Sequence, residues 1–130
     1  MESVIDNVFL IYGLVFVVEF KVGETEYKSY EIDQVERYVH QLKDFHYESQ
    51  EKVLVPILVS TEAKDYNNDF VVDNNIFNTI LANKENIGSI IMRICEKYKT
   101  SSDLSNWSKS KYFLVQLFFK QLGSYMKLMK

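Results

Sequence analysis

The spacing of apolar and polar positions changes period several times along the chain, and each change marks an element. Val4 to Tyr12 ("VIDNVFLIY") and Leu14 to Lys21 ("LVFVVEFK") are β-branched and aromatic runs on either side of Gly13, which predicts an antiparallel hairpin over 4–21. Val22 to Tyr30 is polar, with Gly23 the expected strand terminator. From Glu31 to Phe45 the period lengthens, and Ile32, Val35, Val39, Leu42 and His46 recur at helical spacing. "VLVPILVS", Val53 to Ser60, is almost continuously apolar, the pattern of a strand covered on both faces. Pro56 inside it predicts an edge position or a bulge. Lys64 to Asn75 is rich in Asn and Asp and reads as loop; Ile76 to Leu81 reads as a short strand. A second helical stripe runs through Ile87, Ile90, Ile91, Ile94 and Tyr98 within 86–98. A third, over 107–129, runs through Leu114, Leu117, Phe118, Leu122 and Tyr125, after a polar connector from Thr100 to Asn106. The order strand, strand, helix, strand, short strand, helix, helix predicts a mixed α/β domain covering 1–130 as one unit, without linker or repeat.

Composition narrows this only a little. A chain of 130 residues with 47% hydrophobic and 25% charged residues has ordinary globular make-up and room for a single core. Nine Tyr and nine Phe imply a well-filled core or a stacking surface. One proline and four glycines argue against a loop-rich or disordered chain. The lone Cys95 excludes an internal disulfide, so a reducing cytoplasm is the expected location. No apolar run reaches the roughly 18 residues of a membrane span, and Met1-Glu2-Ser3 lacks the basic start of a signal peptide, so no membrane association is expected. A net charge of −3 does not advertise nucleic-acid coating, although an enzyme that holds a divalent metal beside phosphate tolerates an acidic site.

Candidate chemistry starts in the hairpin. Side chains alternate along a strand, so Glu19 and Lys21 share one face while Val18 and Phe20 share the other. With a turn at Tyr12-Gly13, residues whose numbers sum to 25 lie opposite each other, and Asp6 is set across from Glu19 with Cβ atoms about 5 Å apart. Adjacent carboxylates repel unless a proton or a cation separates them. A divalent ion bound by both relieves the conflict, and hard oxygen ligands favour Mg2+ or Mn2+. The plain alternative is a surface hairpin whose outer face carries an ordinary, solvated Glu-Lys pair of marginal energetic value.

Asp6, followed thirteen residues later by Glu19-Phe20-Lys21 on a second strand, resembles the metal-binding hairpin of PD-(D/E)xK phosphodiesterases, the superfamily of restriction endonucleases and RecB-type nucleases. The following helix carries Gln34 and Tyr38 one turn apart, similar to the Gln-x-x-x-Tyr element of the RecB-like branch. More narrowly, Phe16 to Gly23, Ile32 to Val35, Tyr38-Val39, Leu42 to His46 and Pro56 to Ala63 resemble the N-terminal nuclease-like region of bacterial helicase-like proteins. "WSKSKY", Trp107 to Tyr112, is weakly similar to a later segment of them. The similarity covers about half the chain and is densest from Asp6 to Ala63.

The resemblance implies a restriction-endonuclease-like mixed sheet flanked by helices, in an N-terminally truncated form, because relatives carry a helix and a strand ahead of the hairpin. It implies a metal held by Asp6, Glu19 and the backbone carbonyl of Phe20, with Lys21 stabilising charge on phosphate. Gln34 would orient that lysine or contact phosphate, and Tyr38 would sit beside it or simply pack. Nucleic acid is the implied partner, with DNA the expected form. A helicase motor is not expected within this chain, since the G-x-x-x-x-G-K-[ST] phosphate loop is absent from the sequence. Two rival readings stand beside metal-dependent hydrolysis. One is a non-catalytic remnant that binds nucleic acid or protein; the other is an interaction module with a solvated hairpin face. A truncated sheet exposes apolar surface, as do Phe113 and Phe119 off the last helical stripe, so a symmetric homodimer is the simplest assembly. His40 and His46 do not share a helix face and make a poor zinc pair. Cys95 reads as core, and Glu62 as a cap on the segment that follows Thr61.

Overall fold

The computed structural model describes residues 7–11, 13–45 and 52–98. Strands β1 (Asn7–Ile11) and β2 (Leu14–Lys21) form the hairpin, and their pairing runs from Asn7↔Val18 to Ile11↔Leu14. This is the register the sequence predicts, and Gly13 takes the positive φ of 83° that a two-residue turn demands. Helix α1 (Ser29–Phe45) then carries the chain to β3 (Val53–Ser60), which lies parallel to β2 with Leu14 opposite Val53 and Lys21 opposite Ser60. Two short strands, β4 (Val72–Asp73) and β5 (Ile76–Phe77), make a second hairpin. β6 (Ile80–Ala82) and helix α2 (Ile87–Tyr98) complete the described chain. The sheet is mixed and six-stranded, in the order β1-β2-β3-β5-β4, with β6 also pairing β3.

The two faces of the sheet are covered by different helices. Phe16, Val18 and Phe20 on β2 point with Val55, Ile57 and Val59 on β3 towards the apolar stripe of α2, where Ile90, Ile94 and Cys95 are buried. Val15 and Val17 face the other way with Leu54 and Leu58, against Val35 and Val39 of α1. Each such aliphatic side chain contributes about 1.5–3 kcal/mol by leaving water. Cys95 is core, as its position predicts, and burial pushes its thiol up to about 12. Phe16, Phe20 and Phe77 are buried as well, which assigns these aromatics to packing.

Three expectations need correction. Pro56 marks neither an edge nor a bulge, because β3 is central and Pro56 sits opposite Val17 in an unbroken ladder with β2. The Leu54 N–H donates to the Asn75 carbonyl (2.8 Å), so Pro56, two residues on, turns its missing donor to that same neighbour. There the adjoining strand is interrupted between Phe77 and Ile80, and no donor is needed. The single strand expected over Ile76 to Leu81 is therefore two pieces, β5 and β6. Finally, the Asn-rich segment is not all loop: Asn74 and Asn75 adopt φ of 53° and 62° and close the β4–β5 hairpin. Asparagine tolerates that region better than other non-glycine residues. The predicted helix over 107–129, with Phe113 and Phe119, lies outside the described residues.

Candidate functional site

Glu19 and Lys21 lie near the C-terminal end of β2, on the face that α1 covers. Glu19 is 3% exposed, so the surface-pair reading, with its solvated charges, does not hold. Lys21 Nζ lies 3.5 Å from Glu19 Oε1, and the lysine side chain keeps 23% exposure. The same ammonium lies 3.9 Å from Glu31 Oε2, which belongs to the first turn of α1 and is 1% exposed. The hairpin and the helix thus bring two buried carboxylates to one lysine.

Local structure fixes this meeting. The Thr61 N–H donates to the Lys21 carbonyl (3.2 Å), and the Gly23 N–H donates to Thr61 Oγ1 (2.8 Å). These bonds pin the end of β2 to the end of β3. Gly23, at φ +85°, turns the chain there towards α1. The N–H groups of Glu31 and Ile32 both donate to the Lys28 carbonyl (3.0 and 3.1 Å), which opens the helix so that Glu31 faces the sheet.

Several oxygens around the cluster are buried without a hydrogen-bond partner: Glu31 Oε1, Gln34 Oε1 and Ser60 Oγ. Ser60 is wholly buried and pairs in register with Lys21, so its hydroxyl is on the same face. Gln34 follows Glu31 by three residues, close to one helical turn. Unpartnered buried polar atoms are uncommon and call for a cause. Glu31 has its carboxyl pKa raised, first by burial and next by Glu24; Lys21 and Lys28 pull it the other way.

The predicted site residues separate into three groups. Glu19, Lys21 and Gln34 belong to the α1-covered face. Phe20 points its side chain into the opposite core, so any part it plays in the site is through its backbone. Tyr38 is partly buried and packs on the cluster of Val15, Val17, Val39 and Leu54, which favours the packing role left open above. Asp6 lies outside the described residues, one position before the first described pair, Asn7↔Val18. Glu62 does not cap; it pairs with Lys84 (3.0 Å) and ties the end of β3 to the approach to α2.

Glu31 is the residue that sequence reasoning missed. Its only signal was its spacing, three residues ahead of Gln34 on the same helix. Among the described residues no three of His, Cys, Asp and Glu converge as a metal set. Two carboxylates meet at Lys21, the Ser60 hydroxyl is in register beside it, and Gln34 follows Glu31 on α1; all are hard oxygen donors of the kind that suits Mg2+ or Mn2+. A separate cleft of about 310 Å3, lined by residues including Glu36, Tyr66, Asp69 and Thr79, contains none of the cluster's residues. No described helix is long and apolar enough to cross a membrane. No family model, curated protein or solved structure matches the chain.

Proposed function

We propose that the protein is a divalent-metal-dependent phosphodiesterase acting on nucleic acid, DNA foremost, with a restriction-endonuclease-like arrangement of its sheet and helices. The observation that carries this reading is the charged cluster inside an otherwise apolar sheet–helix interface. A buried ion pair adds little net stability over apolar packing. Folding alone therefore does not call for Glu19, Lys21 and Glu31 at these positions, whereas a site that handles charge does.

In this reading Asp6, Glu19 and the Phe20 carbonyl hold Mg2+ or Mn2+, which fits the oxygen-rich character of the cluster. When bound, the ion supplies Lewis-acid polarisation of a phosphate and a water of lowered pKa. The chain's own residues do the rest. Glu19, held rigid by burial, presents its carboxylate from a fixed strand position. Lys21 is the more mobile charge, because its stem is flexible and its head still reaches solvent. It offers its ammonium to a non-bridging phosphate oxygen as negative charge develops there, and it does so against a wall that excludes water on the α1 side. Gln34 steadies the lysine or donates its amide N–H to phosphate, and Tyr38 closes the apolar border beside it.

A binding module without catalysis is the second reading. It is favoured by the engagement of Lys21 with two carboxylates, which leaves one positive charge facing two acidic groups. Cleavage of labelled oligonucleotides in Mg2+ or Mn2+ separates the two. The expected outcome is metal-dependent cleavage that drops about 100-fold or more in Lys21→Ala while Mn2+ binding largely survives. Asp6→Asn should lose both. Cleavage that persists in chelator or in Lys21→Ala removes this site from the chemistry; Mn2+ binding with no cleavage leaves the binding module.

A further inference from the structure

We infer that Glu31, from helix α1, is a direct carboxylate ligand of the divalent ion, and that Lys21 occupies the ion's place when none is bound. The inference rests on the metal-site reading above and extends it to a residue outside the hairpin.

The argument begins with which groups can move. Glu31 is 1% exposed and Glu19 3%, one held by a helix and the other by a strand, so neither carboxylate can swing to solvent. The ammonium between them, 3.5 Å from one and 3.9 Å from the other, sits on a flexible four-carbon stem with 23% exposure. Those distances are long for charge-assisted hydrogen bonds, which run nearer 2.7–2.9 Å. The lysine fills the space loosely, as a stand-in positive charge does.

The second observation is independent of the charges. Glu31 Oε1 and the Ser60 hydroxyl are both buried without a partner, and Ser60 is wholly enclosed on the face that carries Lys21. Gln34 Oε1, one turn along α1, is buried without a partner too. Acceptors left in this state are uncommon in a finished structural ion pair. They have a reason to be there if a small cation, or a water held by it, accepts their lone pairs. A hard divalent ion of the Mg2+ or Mn2+ type meets this chemistry; a soft metal, which wants thiolate or imidazole, does not.

The test is Mn2+ titrated into the full chain, with free ion read by electron paramagnetic resonance and thermal unfolding followed with and without Mn2+. Glu31→Gln keeps the size of the side chain and removes its charge. It is expected to weaken Mn2+ binding at least tenfold and to abolish the metal-induced rise in Tm that mass action gives the wild type. Glu36→Gln, at an exposed position of the same helix, is expected to match the wild type in both. Should Glu31→Gln not fold, Glu31→Asp, which retains the charge but withdraws the carboxylate by one methylene, replaces it with the same expected direction. Wild-type affinity in Glu31→Gln, with binding lost in Asp6→Asn, overturns the assignment of Glu31 and leaves the phosphodiesterase reading in place. Binding lost in Glu31→Gln but kept in Asp6→Asn upholds Glu31 and removes Asp6 from the metal set. A wild type that takes up no Mn2+ at millimolar ion overturns both, and an equal loss in Glu36→Gln shows that general surface charge, not ligation, is being read.

Discussion

The burial of Glu31 has a cost, and that cost has a pH signature. Burial, and to a lesser degree Glu24, raises its pKa above the ordinary carboxyl value of 4.5, against the opposing pull of Lys21 and Lys28. An acid with a raised folded-state pKa is protonated in both states at low pH and adds no penalty there. As pH rises past the unfolded-state value the unfolded chain gives up the proton first, so stability falls until the folded-state value has also been passed. Glu31→Gln removes this penalty while Lys21 keeps Glu19 as its partner. In chelator, urea unfolding should therefore show the variant gaining on the wild type as pH rises above the ordinary carboxyl value of 4.5. The opposite trend would mean that the attraction of Lys21 outweighs burial. The same residue shows what sequence could and could not deliver. Glu19 and Lys21 stand out because charge inside an apolar alternating run is anomalous on its face. An acidic residue in the first turn of a helix is unremarkable, since it suits the helix dipole at a solvated position. Only the landing of α1 on the sheet turns Glu31 inward, and that is a property of non-local packing.

Among the elements, local sequence signals set the turns and helices, whereas the relations between strands depend on non-local packing. The hairpin register followed from a single turn position and held through every described pair from Asn7↔Val18 to Ile11↔Leu14. Pro56 was visible as an anomaly, but the direction of its absent N–H depends on which neighbour Leu54 faces, and no local pattern encodes that. The β4–β5 turn hides within an Asn-rich stretch of loop composition, where the tolerance of Asn74 and Asn75 for positive φ is the informative property. The junction between β6 and α2 depends on Asn83, which is 5% exposed. Its Oδ1 accepts from the N–H groups of Glu85 and Asn86 (both 2.9 Å), and its own N–H donates to Asn86 Oδ1 (2.7 Å). Its Nδ2 donates to the Ala63 carbonyl (3.0 Å) and to Asp65 Oδ1 (2.8 Å). One side chain thus caps a helix and anchors the segment after β3. Asn83→Ala should lower stability by about 1–3 kcal/mol in urea unfolding, through the lost cap and the orphaned partners. A loss under about 0.5 kcal/mol would show that the junction is held by backbone contacts alone.

For the whole molecule, the net charge of −3 and the acidic cluster set a condition on any nucleic-acid partner. Phosphate is repelled by two buried carboxylates that a single lysine already serves, and on the proposed reading a bound divalent ion would reverse that local sign. Fluorescence anisotropy with Lys21→Ala, which is expected not to cleave, should detect oligonucleotide binding in Mg2+ and none in chelator at about 100 mM salt. Few released counterions are expected, so the salt dependence should be shallow. Equal binding in chelator would place the contact on a basic surface elsewhere and separate it from the cluster.

The parallel pairing of β2 with β3 also bears on the order in which the chain acquires this cluster. Glu19 lies beside Leu58 and Lys21 beside Ser60, with all of α1 between them in sequence. The hairpin needs only a two-residue turn, whereas this pairing must close a long loop before any contact compensates the lost entropy. During early folding, and while residues beyond α1 are still being synthesised, Glu19 and Glu31 remain hydrated. They are expected to lose water only as β3 docks, late in folding, and a Glu31→Gln variant that leaves the folding rate in urea unchanged would count against this order. The parallel pairing that brings Glu19 and Lys21 beside β3 is thus also expected to slow the arrival at the native state.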